Sequence, residues 1–420
     1  MTNAENWKST FLRFWLTQAL SLFGSGLASF SVVWWITEKT GSSVILATVS
    51  LATLLPGIII APIAGALVDQ LNRKWIIIIA DAVSAVMAIL LVVLFWTGSI
   101  QLWHIVVINI VRALAGTFQF PAVQSSTSLL VPKQQLTRVA GLNQALQGAT
   151  MIATPPLGAL LLSVLPIHLI LGIDVLTAIL AICLLFFIVI PQPSNRQSIT
   201  RVPATIWQDI RAGFTFIKQW PALVNIMVIA ALINLVLTPA FILIPILVTQ
   251  HFYGSAFQLG WINAAYGFGT IAGGALLGIW GGFKRRILTS LFGLAGLGIG
   301  CLLVGRAGSE AYWLAVSGMA LVGIMNAFAN GPFFAILQST IPHEMQGRFF
   351  TILMSVSSAA APLGLALAGP LADRLGVQIW YLLSAAICGL IVVWILFNPA
   401  ILRFEEKRIH MDSATEAAAD

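Results

Sequence analysis

From Ser43 to Val68 the chain carries no Asp, Glu, Lys or Arg, and runs of this apolar kind recur from one end to the other. A helix needs roughly 20 consecutive apolar residues to cross a hydrocarbon layer about 30 Å thick. The strands of a membrane barrel need only about ten, alternating in character. Runs of this length therefore specify helices, which satisfy their own backbone groups in lipid. Twelve spans are expected, near 11–36, 43–68, 75–97, 101–131, 137–163, 168–190, 221–250, 256–281, 287–307, 311–341, 347–372 and 376–398. Only 8% of the residues are charged, where a water-facing surface calls for about 25%. The expected class is an all-α integral membrane protein whose first partner is the lipid bilayer.

The bases mark the topology. With the N-terminus in the cytoplasm, 17 of the 21 Lys and Arg residues fall in cytoplasmic segments. Three, Lys39, Arg306 and Arg374, fall outside, and Arg112 alone lies within a span. The positive-inside rule then puts both termini in the cytoplasm of a multi-pass protein of the cell membrane. An odd number of spans would spoil the alternation. The net charge of +7 is thereby accounted for by loops between spans and does not point to nucleic acid. Cys183, Cys301 and Cys388 sit inside apolar runs without metal-ligand spacing and read as buried thiols. The N-terminal run is too long for a signal peptide and has no small-residue cleavage site.

The longest polar break, 191–220, opens with Pro191-Gln192-Pro193-Ser194-Asn195-Arg196 and reads as a linker. It continues with Ile206, Trp207, Ile210, Phe214 and Ile217 at helical spacing, which predicts an amphipathic helix on the cytoplasmic membrane surface. The expected organisation is a six-helix bundle over 1–190, the linker over 191–220, a second six-helix bundle over 221–398 and a cytoplasmic tail over 399–420. The halves repeat each other. Leu130-Val131-Pro132 recurs as Thr340-Ile341-Pro342, an offset of 210, and Pro156-Leu157-Gly158 recurs as Pro362-Leu363-Gly364, an offset of 206.

Arg112 is the most costly residue to place, since arginine near a bilayer centre costs about 2.5–3.5 kcal/mol even on the lenient insertion scale. Asp81, in the third span, is the expected counter-ion. A purely structural ion pair competes with a proton switch as the reading of that pair. Asp174, early in the sixth span, reads either as a helix-start acid favoured by the dipole or as a proton entry or exit group. No comparable acid is seen in the second half. Polar residues also form stripes at helical spacing. Gln18, Ser21, Ser25 and Ser29 mark the first span, Asn143 and Gln147 the fifth, Asn263 and Tyr266 the eighth, and Asn326, Asn330 and Phe334 the tenth. Gln119 lies between Phe118 and Phe120. One stripe alone is usually helix–helix glue. Matching stripes in both halves favour a cavity for a large, mostly apolar, weakly polar ligand.

Enzyme chemistry finds no support. There is no G-x-x-x-x-G-K-[ST] for ATP, His343-Glu344 lacks a second histidine at helical spacing, and no His, Cys or acid cluster has metal spacing.

Between the second and third spans lies Gly65-Ala66-Leu67-Val68-Asp69-Gln70-Leu71-Asn72-Arg73-Lys74. This G-x-L-x-D-x-x-x-R-K order resembles the loop signature of the major facilitator superfamily, with Asn72 where that family has glycine. Asn also tolerates the left-handed backbone such a glycine supplies. Arg112 and Gly116 resemble a second facilitator motif, R-x-x-x-G. Lys284-Arg285-Arg286 keeps the bases of the loop in the second half without its acid, and Gly369-Pro370-Leu371-Ala372-Asp373-Arg374 is a partial echo on the outer side. Asn6-Trp7-Lys8, Thr37-Glu38-Lys39-Thr40-Gly41-Ser42, Ala80-Asp81 and Ile173-Asp174-Val175-Leu176 look like the macrolide-efflux branch, which also holds siderophore exporters.

The resemblance implies two pseudo-symmetric halves rocking about a midplane site. It implies export of amphipathic, macrolide-like compounds by proton antiport, with a proton gradient and no bound cofactor as the energy source, in a monomer. Asp81, Arg112 and Asp174 would serve proton coupling. Gly65, Asp69, Arg73 and Lys74 would form a gating loop that docks near Gln346–Arg348. The alternatives are an exporter of an endogenous metabolite such as a siderophore and, from another class, a non-transporting membrane sensor or lipid-interacting protein.

Overall fold

The structure, a computed structural model, describes residues 7–132, 135–190, 221–341 and 343–398. The long helices among the described residues are α1 (Trp7–Thr40), α2 (Ser43–Gln70), α3 (Arg73–Trp96), α4 (Leu102–Leu130), α5 (Leu136–Val164), α6 (Ile167–Phe186), α7 (Pro221–Ile242), α8 (Ala256–Trp280), α9 (Arg286–Arg306), α10 (Tyr312–Thr340), α11 (His343–Leu375) and α12 (Gln378–Leu396). All twelve contain a segment long and apolar enough to cross a membrane. The shortest, α12, has 19 residues and rises about 28 Å, while α1, with 34, rises about 51 Å. The amphipathic helix expected at 206–218 and the tail at 399–420 lie outside the described residues.

The seventh span is not the single run expected at 221–250. Helix α7 ends at Ile242, and Leu243 leaves helical geometry at φ −89°, ψ 5°. One further turn, Ile244–Ile246, leads into a π-helical turn at Leu247–His251. The Phe252 N–H closes that turn on the Leu247 carbonyl at 3.2 Å. Pro239 and Pro245 flank the break. Neither has an N–H to donate, so the ladder is interrupted where they stand.

The chain forms two compact units. Unit 1 is Met1–Gly41, Thr48–Val202 and Gly254–Gly260; unit 2 is Ser42–Ala47, Pro203–Tyr253 and Trp261–Asp420. In unit 1, α1 packs on α5 and α6, and α3 packs on α4 and α6. One end of this unit is closed by a cluster that includes Phe11, Phe14, Ile77, Leu130 and Leu185. In unit 2, α7 packs on α11 and α12, and α9 packs on α10 and α12. Gly300 and Gly318 face each other's backbone at the α9–α10 crossing, where a Cβ on either would lie within 3 Å of the other's carbonyl oxygen. Small residues let helix backbones approach in lipid, where no hydrophobic force drives helices together. The sequence repeat has a structural counterpart: α4 ends at Leu130 and α10 at Thr340, the same offset of 210, and both α5 and α11 carry proline within the helix.

Candidate functional site

Two serines on α1, one turn apart, each hold a buried carboxylate. The Ser21 hydroxyl donates to Asp81 Oδ1 at 3.3 Å, and the Ser25 hydroxyl donates to Asp174 Oδ1 at 2.9 Å. Asp81 comes from α3 and Asp174 from α6, and each is 2% exposed. Among the acidic residues whose surroundings are described, they are the only buried carboxylates. Gly24 makes the second contact possible. A Cβ there would collide with Thr177 Oγ1 and come within 3.1 Å of Asp174 Cα. Glycine at this position lets α6 approach α1 closely enough for the neighbouring serine to reach the acid.

Arg112 pairs with Asp174 and not with Asp81. Its Nη2 donates to Asp174 Oδ2 at 2.7 Å and to the Ser25 hydroxyl at 3.2 Å. The expected diagonal pair fails on helix rise. Asp81 stands eight residues from the Arg73 end of α3, about 12 Å. Arg112 stands eighteen residues from the Leu130 end of the antiparallel α4, about 27 Å, which leaves an axial gap of about 15 Å. Asp174 is seven residues from the start of α6 and Arg112 ten from the start of α4. These helices run the same way, so the two residues differ in height by only about 4.5 Å. Nor is Asp174 a helix-start acid, since the first turn of α6 contains none.

Asp81 is bound by neutral groups. The Gln119 amide donates to its Oδ1 at 2.8 Å, beside the Ser21 hydroxyl. Its Oδ2 is buried with no hydrogen-bond partner among the described residues. Gln119 and Ser25, both expected to face a ligand, thus have acids for partners. The pattern that signals this is serine at i and i+4 on α1, with glycine between.

The segment between α2 and α3 is shorter than the sequence suggests. Gly65 and Asp69 lie on α2, which runs to Gln70, and only Leu71 and Asn72 separate the helices. The surroundings of Gly65 and Asp69 lie outside the described residues, as do those of Gln346–Arg348. Asn72 is extended, at φ −72°, ψ 109°, and not left-handed. It is the N-cap of α3, its side chain accepting from the N–H of Lys74 at 3.1 Å and of Trp75 at 3.5 Å. Asparagine is thereby explained at a position where glycine would supply no side-chain acceptor. Arg73 is buried and donates to the Ser125 carbonyl of α4 at 3.2 Å. Lys74 reaches the Phe186 carbonyl at the end of α6 at 2.8 Å. A cation on terminal carbonyls complements the helix dipole.

The other polar candidates are spread over both units. In unit 1, Gln18 and Asn143 are half-buried and Gln147 is exposed. In unit 2, Asn263 and Tyr266 are half-buried on α8, with Tyr266 edge-on to Phe241 at 4.9 Å. On α10 the Asn330 amide donates to Asn326 Oδ1 at 2.8 Å, and Phe334 packs on Phe350 with ring centroids 6.1 Å apart. Within unit 2, Asp373 accepts from the Ser43 N–H at 3.1 Å, capping the first turn of α2.

Residues 4–418 match a family model described as transmembrane secretion effector. The chain is 31% identical over 387 residues to the macrolide efflux protein A of Streptococcus pyogenes, covering 92% of this chain and 95% of that one. It is 25% identical over 397 residues to the multidrug efflux pump Tap of Mycolicibacterium fortuitum, covering 90% and 93%. Among solved structures, a bacterial homologue of the iron transporter ferroportin in an inward-facing state superposes with a TM-score of 0.72, at 14% identity, over 96% of this chain and all of the other. At that identity the likeness concerns the fold.

Proposed function

This chain belongs to the transmembrane secretion effector family of major facilitator transporters, and on that premise we propose that it exports amphipathic, macrolide-like compounds in exchange for protons. It is a transporter and not an enzyme. The export direction and the drug class are supported by the efflux proteins it resembles across nine-tenths of its length.

Proton coupling is supported by one observation, the unequal treatment of two buried acids. Asp174 has a full positive charge at 2.7 Å. Asp81 has an amide and a hydroxyl. Carrying an anion without a cation in a dry site is costly, and binding a proton removes that cost. We assign Asp81 as the group that takes up and releases the proton, and Arg112–Asp174 as the fixed charge pair beside it. Ser21 and Ser25, on one face of α1, connect the two. A change at Asp81 then moves α1 relative to α6 through its own hydrogen bonds, which is how proton uptake would bias alternating access. The distribution of bases supports a cytoplasmic position for both termini.

The test is accumulation of a macrolide in a pump-deficient host. Cells expressing the chain are expected to hold less drug, and a protonophore to erase the difference. Asp81→Asn is expected to abolish the protonophore-sensitive component while the protein still reaches the membrane. Full-speed efflux after the proton gradient is collapsed, or in Asp81→Asn, would remove the coupling assignment.

A further inference from the structure

The bases that recur in the second half are placed differently from those of the first. In unit 1, Arg73 is buried on the Ser125 carbonyl and Lys74 reaches the Phe186 carbonyl. In unit 2, Lys284, Arg285 and Arg286 are all exposed. The transport reading gives these three no role.

Their position is set by a tight turn. Helix α8 ends at Trp280, and Gly281 and Gly282 follow at φ +76° and +82°, left-handed backbone that glycine adopts without steric cost. The Phe283 N–H then donates to Oγ1 of the buried Thr289 at 2.9 Å. A Cβ on Gly282 would lie 2.7 Å from that same oxygen. The turn leads directly into α9 with the three bases at its start. Helices α8, α9 and α10 contain no Asp or Glu. The next acid in the chain, Glu310, lies beyond the far end of α9, whose 21 residues rise about 32 Å.

Beside the bases lies an aromatic patch. Trp280, Phe283 and Phe292 are 48%, 43% and 46% exposed. Phe283 is edge-on to Trp280 with ring centroids 4.8 Å apart, and edge-on to Phe292 at 6.0 Å. Phe328 of α10 backs Trp280 at 5.9 Å and Phe292 at 6.1 Å. Single exposed rings are ordinary on a lipid-facing surface. Three rings packed on one another against three exposed cations make a surface of two characters. Tryptophan favours the boundary between acyl chains and headgroups, and bases at that level attract anionic lipid. The complement is one molecule with a phosphate for the bases and hydrocarbon for the rings.

We propose that this face of unit 2 is a binding site for an anionic phospholipid, its phosphate on Lys284, Arg285 and Arg286 and its chains along Trp280, Phe283 and Phe292. The site uses none of the residues assigned to proton coupling, so it stands or falls independently of the export proposed above. It is tested by binding and not by transport.

The full chain is reconstituted in phosphatidylcholine vesicles. Phosphatidylglycerol or phosphatidylcholine with brominated acyl chains is then added in increasing proportion. Bromine quenches tryptophan on contact, and comparison with Trp280→Phe isolates the contribution of Trp280. Half-quenching of Trp280 is expected at a proportion of brominated phosphatidylglycerol at least about fivefold below that of brominated phosphatidylcholine, the worth of one base near an anionic surface. Lys284→Gln/Arg285→Gln/Arg286→Gln is expected to erase that preference. Lys39→Gln/Arg306→Gln/Arg374→Gln removes the same charge from other exposed positions and is expected to keep it. Sodium phosphate and sodium chloride at equal ionic strength are expected to weaken the preference alike. Equal quenching by the two lipids, a preference that survives the first triple variant, or its loss in the second overturns the proposal. So does displacement by phosphate beyond that by chloride, which would make this a site for a free anion.

Discussion

Asp174→Asn and Asp81→Asn are chemically the same substitution made in the same unit, and the structure makes them opposites. Asp174→Asn leaves Arg112, whose side chain is 16% exposed, with a neutral amide at 2.7 Å in place of its counter-ion. Removing one partner of a buried pair costs about 3–5 kcal/mol, because the remaining charge is uncompensated. Asp81→Asn removes a charge that has no cation beside it. Its amide oxygen can still accept from Gln119 and Ser21, so the change is expected to stay within about 1 kcal/mol, the net worth of one neutral hydrogen bond. The difference, at least about 2 kcal/mol, is more than tenfold in an unfolding equilibrium. The two proteins are purified in nanodiscs and their unfolding followed by tryptophan fluorescence, with Arg112→Gln/Asp174→Asn as the third sample. The double variant is expected to recover part of the loss, since no lone charge remains in it. Equal destabilisation by the two substitutions, or greater damage from Asp81→Asn, would mean that Asp81 has a cationic partner and that the acids have been assigned the wrong way round.

Asn72→Ala removes the side-chain acceptor at the start of α3 and is expected to cost about 1 kcal/mol, with Asn72→Asp nearly neutral, in the same unfolding assay. Gly24→Ala forces a methyl group onto Thr177 and is expected to cost about 1–3 kcal/mol. Thr177→Ala in the same chain should restore only part of that, because Asp174 Cα remains 3.1 Å away; full restoration would show that α6 is free to move off α1. Asp373→Ala leaves the Ser43 N–H without its acceptor and is expected to lower stability by about 1 kcal/mol, with Asp373→Asn close to wild type.

Why the spans were legible and the ion pair was not comes down to what each depends on. A span is specified by a run of side chains that can only be buried in lipid, and that property is local. Asp69, Asn72 and Arg73 could be read as a set, but only backbone geometry shows that Asp69 belongs to α2 and that Asn72 is a cap. The break after Ile242 depends on Pro239 and Pro245 inside a run that is apolar throughout, so hydropathy alone passes over it. Pairing Arg112 depends on relative height. A pair with Asp81 would need Arg112 midway along its helix, whereas α4 extends eighteen residues beyond it toward Leu130. That extra length moves Arg112 away from Asp81 and level with Asp174. Sequence alone named all three charged residues, and the error was in one axial coordinate.

The corrected pairing changes what the network can do. Had Asp81 been the counter-ion of Arg112, protonating it would have stranded a guanidinium in lipid, and each proton taken up would carry a penalty of several kcal/mol. With Arg112 neutralised by Asp174, Asp81 can gain a proton without orphaning any charge, and on losing it leaves only its own carboxylate without a cation. Its two partners suit that exchange, since a hydroxyl and an amide each offer both donor and acceptor atoms and can re-pair with a carboxyl group or a carboxylate. Ser21 is common to this exchange and to the α1 face that carries Ser25. A small rotation of α1 that follows Asp81 therefore also loads or relieves the Ser25–Asp174 contact, where Gly24 leaves no slack between α1 and α6. In the proposed mechanism the fixed pair supplies the anchor and the unpaired acid supplies the signal, and the two roles require different partners.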